Sequence, residues 1–152
     1  MKRIAINALS ARSGGGQTYI WNLFLHLPKE IDFKIFLFIS PSRKMSFLNK
    51  RNDIKLIYVK DRGPLFRIIW ENTILPFYLL YNKIDLIFFP GGTVPIINIK
   101  NIKLVTMFRN MIPFDKKELS KYEFSLSYIR NILLSFILKK SMKKADSVIF
   151  IS

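Results

Sequence analysis

The strongest constraint on how this chain folds is its alternation of short apolar runs with stretches of helical spacing. Residues 4–9, 33–40, 54–60, 84–89, 103–108 and 147–152 each read as a strand. The run at 33–40, FKIFLFIS, is apolar up to Ile39 except for Lys34, the pattern of a strand buried on both faces. Between the runs, Ile20, Leu23, Phe24 and Leu27 recur with the spacing of one buried helix face. A second helix is expected over 65–81, with Phe66, Ile69, Trp70 and Thr73 or Ile74 on one side and Pro76 set to kink or split it. A third spans 120–145, with Leu126, Ile129, Leu133 and Phe136 or Ile137 marking its apolar face, and a short helix is expected over 45–50. Strands that alternate with helices predict an α/β fold: a Rossmann-like, doubly wound, mainly parallel sheet with helices on both faces.

In such a sheet, ligands bind beyond the carboxyl ends of the strands. That rule selects three loops: 10–17, 90–95 and 109–113. The first, after the opening strand, carries Gly14, Gly15 and Gly16 and leads into a helix. Unpaired N–H groups at a helix start attract anions, and glycines let an anion come close. The loop is neither GxGxxG nor a P-loop, and an ordinary flexible cap reads almost as well. The second carries Pro90, Gly91, Gly92 and Thr93. The third opens with Arg109 and Asn110; the guanidinium there either clamps a phosphate or carboxylate or pairs with Asp115 or Glu118.

Composition narrows the chemistry. A chain of 152 residues, half of them hydrophobic, is enough for one domain with a sizeable core. It has no cysteine and a single histidine, His26, which excludes disulfides and makes a thiolate or histidine-cluster metal site untenable. The missing cysteine also fits a reducing, cytoplasmic setting. No paired carboxylates at glycosidase spacing and no Ser/His/Asp set is evident. Asp85 begins its strand and so faces the wrong end of the sheet, and Glu71 reads as a surface or structural ion-pair residue. The formal net charge of +15 favours anionic partners. Lys2, Arg3, Arg43, Lys44, Lys50, Arg51 and Lys55 are dispersed, which tells against a dedicated nucleic-acid surface. Lys139, Lys140, Lys143 and Lys144 close the last helix, where they complement its dipole or meet anionic lipid at the inner face of a membrane. No run of about 18 apolar residues exists to span a bilayer.

In this order and spacing, SGGGQTYIWNL, RIIWENTILP, IDLIFFPGGTVPI, KLVTMFRNMIPFD and KKADSVIFIS resemble the N-terminal domain of family-4 retaining glycosyltransferases with the GT-B fold. The resemblance implies an acceptor-binding N-terminal domain whose glycine loop approaches the donor diphosphate or sugar. A C-terminal nucleotide-sugar domain with a Glu-x7-Glu signature would lie outside these 152 residues. It implies a nucleotide sugar as donor substrate, a glycan or lipid-linked acceptor, and no separate cofactor or metal. Donor phosphate or sugar contacts carry over to Gly15, Gly16 and Gln17, and an acceptor-site loop to Gly91, Gly92 and Thr93. Many relatives have His-Asp after the fifth strand. Arg109 and Asn110 stand there instead, so only a sugar- or phosphate-contact role transfers to them. The alternative is a non-catalytic module that binds an anionic membrane or a partner protein.

Overall fold

In a computed structural model, six parallel strands form one sheet in the order β3-β2-β1-β4-β5-β6. The described residues are 1–11, 14–42, 45–60, 62–108 and 125–151. The strands are β1 (Lys2–Asn7), β2 (Phe33–Ile39), β3 (Ile54–Tyr58), β4 (Leu86–Phe89), β5 (Lys103–Phe108) and β6 (Ser147–Phe150). The helices are α1 (Gly15–Leu25), α2 (Pro64–Asn72), α3 (Ile74–Tyr81) and α4 (Leu126–Lys144). A 3-10 turn, Ser46–Lys50, stands where the short helix was expected. This is the expected doubly wound α/β architecture.

The two sides of the sheet carry separate cores, as period-2 alternation requires. Ile6 and Ala8 of the β1 region, Leu37 and Ile39 pack under Ile20 and Phe24 of α1. Ala5, Leu9, Phe36 and Phe38 pack under Trp70 of α2 and Leu75 and Leu79 of α3. Phe38 meets Trp70 and Tyr78 edge-on, at 5.4 and 5.2 Å between ring centroids. Both faces are thus covered by helices, and the central strands can be apolar throughout.

The helix expected over 65–81, with Pro76 set to kink or split it, is split into two. Pro76 has no N–H, and in a continuous helix its ring would press on the carbonyl of Asn72 four residues back. The chain breaks at Thr73, between α2 and α3. Trp70 is buried and Phe66 packs against the core, but Ile69 is 62% exposed, so the inward face is Phe66, Trp70 and Glu71.

The bottom edge is tied by aspartates that precede strands. Arg3 N–H donates to Asp85 Oδ2 at 2.7 Å, and Leu104 N–H donates to Asp146 Oδ2 at 2.7 Å. Asp85 therefore serves the amino end of the sheet, away from the ligand rim. Asp53 sits before β3 and pairs with Arg51, whose guanidinium also donates to the carbonyls of Leu27 and Lys29.

α4 departs from its expected packing. Its buried residues are Asn131, Leu138 and Ser141, and Ser141 and Lys144 bond to the loop after β4. The face of Leu126, Ile129, Leu133, Phe136 and Ile137 is exposed instead. On edge strand β6, Ile149 and Phe150 are exposed too.

Candidate functional site

The chain leaves β1 toward β2 and β3 on one side, then returns through α2 and α3 to β4 on the other. The strand order therefore reverses between β1 and β4, and this is where a doubly wound sheet opens a crevice at its carboxyl rim. Two of the three selected loops line that opening. They also touch. A Cβ built on Gly91 would fall 2.0 Å from Ser10 Oγ and 2.6 Å from Ser10 Cβ. Glycine at 91 is what lets the turn after β4 lie against the turn after β1.

Gly92 is required on two counts. Its φ is +83°, a left-handed value that side chains resist, and a Cβ there would lie 2.9 Å from Leu138 Cδ2 of α4. Packing and backbone conformation account for both glycines of the 90–95 loop. Gly15 is different. Among the described residues, a Cβ at Gly15 would meet nothing within 4 Å, so none of their packing demands glycine there. Gly14 caps α1 at φ +60° without a side-chain cap, and Gly15, Gly16 and Gln17 form the first turn. That turn follows the carboxyl end of β1, and within it the Gln17 N–H donates to the Gly14 carbonyl at 3.0 Å.

The loop after β4 is strapped from both sides. Asn72 Oδ1, at the end of α2, accepts from Ile96 N–H at 2.6 Å and Ile97 N–H at 3.2 Å. From α4, Ser141 Oγ accepts from Val94 N–H at 3.2 Å. Lys144 Nζ donates to the carbonyls of Pro95, Ile96 and Ile97, the first two at 2.8 and 2.5 Å. Burial lowers the Lys144 pKa from its ordinary value. Lys144 is thus spent within the fold, and Lys139, Lys140 and Lys143 are the exposed lysines of this segment. Lys140 Nζ lies 4.5 Å from the centroid of the Phe136 ring. Arg109 and Asn110 lie outside the described residues, as do Asp115 and Glu118; β5 ends at Phe108.

One polar cluster at the rim escaped the sequence reading. Asn7, the last residue of β1, is 2% exposed; its Nδ2 donates to Glu71 Oε1 at 2.8 Å, and its Oδ1 accepts from Leu9 N–H at 3.2 Å. Of the two readings of Glu71, the structure has the structural ion-pair residue and not the surface one: it is 6% exposed and paired with Arg67, and burial raises its pKa, while Arg67 and the Asn7 bond oppose that rise. Arg67 Nε forms an ion pair with Glu71 Oε1 at 3.7 Å, too long for a hydrogen bond, and Nε has no hydrogen-bond partner among the described residues. The available signal was Asn7 itself, a polar residue inside the apolar run 4–9.

Among the described residues, no cluster of His, Cys, Asp or Glu could hold a metal ion, and no helix is long and apolar enough to cross a membrane. No protein-family model matches the chain, and no curated protein matches it.

Proposed function

We propose that this chain is the acceptor-side, N-terminal part of a retaining glycosyltransferase of two-domain, GT-B type. It takes a hexosyl group from a nucleotide sugar to a glycan or lipid-linked acceptor at a membrane surface, and is inactive without a donor-binding C-terminal domain. The observation that carries this reading is the seating of Gly91 against Ser10, which brings two glycine-bearing turns together at the reversal of strand order. The open space before Gly15 supports a diphosphate approaching the first turn of α1. When the sugar–phosphate bond breaks, charge develops on the leaving diphosphate, and fixed N–H dipoles and cations aimed at it lower the barrier. Arg109 and Asn110 are proposed as contacts to the sugar or phosphate. The exposed apolar residues of α4 and β6 are surface that a second domain can cover.

Gly15→Ala tests this cleanly. The added methyl meets open space, so the fold should keep its stability or gain up to about 1 kcal/mol from helix propensity. Transfer by the chain together with a C-terminal nucleotide-sugar domain should fall roughly tenfold to a hundredfold. Unchanged transfer would remove the donor role of this turn.

A second reading, a non-catalytic module docked on anionic membrane, is favoured by α4. Its 19 residues hold five basic and no acidic side chains, and its exposed apolar face runs into Lys139, Lys140 and Lys143. Each such lysine contributes about 1 kcal/mol near an anionic surface. Vesicle sedimentation that depends on anionic lipid and responds to neither sugar nucleotide nor a C-terminal domain would favour it.

A further inference from the structure

The loop after β4 is built unlike an ordinary surface turn. Pro95 and Ile99 are buried, and between them Ile96 and Ile97 are 81% and 41% exposed. Loop backbone ordinarily bonds to water. Here the fold bonds it instead. Val94 N–H donates to Ser141 Oγ, and the N–H groups of Ile96 and Ile97 donate to Asn72 Oδ1. The carbonyls of Pro95, Ile96 and Ile97 accept from Lys144 Nζ. Pro95 has no N–H to satisfy. Two outward isoleucines therefore stand on backbone already paired within the fold. A backbone group carried unpaired into an apolar medium is costly, so a segment paired in advance is the kind that can enter one.

The surroundings say which medium. Ile68 and Ile69 are exposed on α2 about one turn before Asn72, and Phe136 and Ile137 are exposed on α4 two turns before Lys144. Lys139, Lys140 and Lys143 are exposed in the last two turns of α4, next to the residues that hold the loop. α2, α3, α4 and the 94–97 segment carry no exposed carboxylate, since Glu71 is buried. The other described carboxylates, Glu30, Asp32, Asp53, Asp85 and Asp146, precede strands at the amino end of the sheet. Asp146, next after α4, is already bonded to Leu104 N–H. Protein interfaces are depleted in lysine, whereas an anionic bilayer attracts it.

We propose that the 95–97 segment is a membrane-insertion loop: Ile96 and Ile97 enter an anionic bilayer while Lys139, Lys140 and Lys143 meet its headgroups. The inference deepens the docking of α4 on anionic membrane and rests on that reading for the lysines alone; the loop is argued from its own hydrogen bonds. Ser141 and Lys144 tie the loop to α4, so isoleucines and lysines reach the surface as one unit.

The test is sedimentation of the chain with vesicles of phosphatidylcholine alone and of phosphatidylcholine mixed with phosphatidylglycerol. Binding is expected on the mixed vesicles and should weaken as salt rises. Ile96→Asn should weaken it roughly tenfold or more, the effect of no longer burying an aliphatic side chain. Ile96 faces solvent in the free chain, so the thermal midpoint should not move. Lys140→Gln and Lys143→Gln should each weaken binding about fivefold. Leu25→Asn, also exposed but on α1 across the sheet, should leave it unchanged. Ile96→Trp gives a second readout: brominated lipid should quench its fluorescence more than that of the unaltered chain, whose tryptophans are Trp21 and Trp70. Undiminished binding by Ile96→Asn, or no added quenching in Ile96→Trp, would overturn the loop; losses confined to the lysine variants would then leave the docking of α4 standing. Equal binding to neutral vesicles would overturn the choice of an anionic surface. Self-association that Ile96→Asn abolishes, without vesicle binding, would give this face to a second copy and overturn the proposal. No vesicle binding at all would overturn both the loop and the docking of α4, and leave sugar transfer to its own assay.

Discussion

Gly91 and Glu71 show how single residues set the rim. Gly91→Ala puts a methyl inside the contact distance of Ser10 Oγ and Cβ, so the two turns must part. Overpacking of this kind costs about 1–3 kcal/mol, read as a lower urea midpoint. Ser10→Gly removes both atoms, and the double variant should recover most of the loss. If the two losses simply add, the contact is not the reason for glycine. Glu71 carries a pH signature. Its folded pKa lies above the unfolded one, so the folded state binds more protons between the two values. Stability contributed by the protonated carboxyl is full below the unfolded value, near 4.5, and is lost as pH rises through the folded pKa. Glu71→Gln keeps an acceptor for Asn7 and should flatten this fall, making the variant at least as stable at neutral pH. Glu71→Ala leaves the Asn7 amide unsatisfied and should cost about 1–3 kcal/mol. At this scale the sequence was only partly legible. Gly14 and Gly92 could be read as turn glycines because their backbone type is local. That Gly91 yields to Ser10, or that Glu71 is buried, depends on contacts 81 and 64 residues apart in the chain.

The elements were more legible than their contacts. Strand runs and helix spacing placed each described element within a few residues, because those periodicities arise from backbone geometry alone. The split at Thr73 followed from Pro76, whose ring excludes one continuous helix. The break has a consequence: it ends α2 at Asn72, whose side chain then straps the loop after β4. Lys144 straps the same loop from α4. Lys144→Met should lose about 1.5–3 kcal/mol, the range for hydrogen bonds to a charged group, and should speed amide exchange at Ile96 and Ile97. Unaltered exchange there would mean the loop holds without the lysine. The orientation of α4 could not be read, because apolar residues occur on both its sides. Leu138 faces the fold and Phe136 faces outward, two residues apart, and only the neighbours decide which is buried.

For the whole molecule, the strand order is the fact from which the site follows. A parallel sheet in the order β3-β2-β1-β4-β5-β6 brings the turns after β1 and β4 to one rim, and the alternation of strand and helix was enough to expect it. What the pattern could not supply was the contact between those turns, the buried Asn7–Glu71 pair beside them, or the outward apolar face of α4. Those come from tertiary packing of residues that share no local signal. The most direct measurement is sugar transfer from labelled nucleotide sugars to membrane-extracted acceptors, with product anomers read by NMR. The account predicts no transfer by the 152-residue chain alone, and transfer with retained anomeric configuration once a C-terminal nucleotide-sugar domain is supplied. Full transfer by the chain alone, or product of inverted configuration, would contradict it.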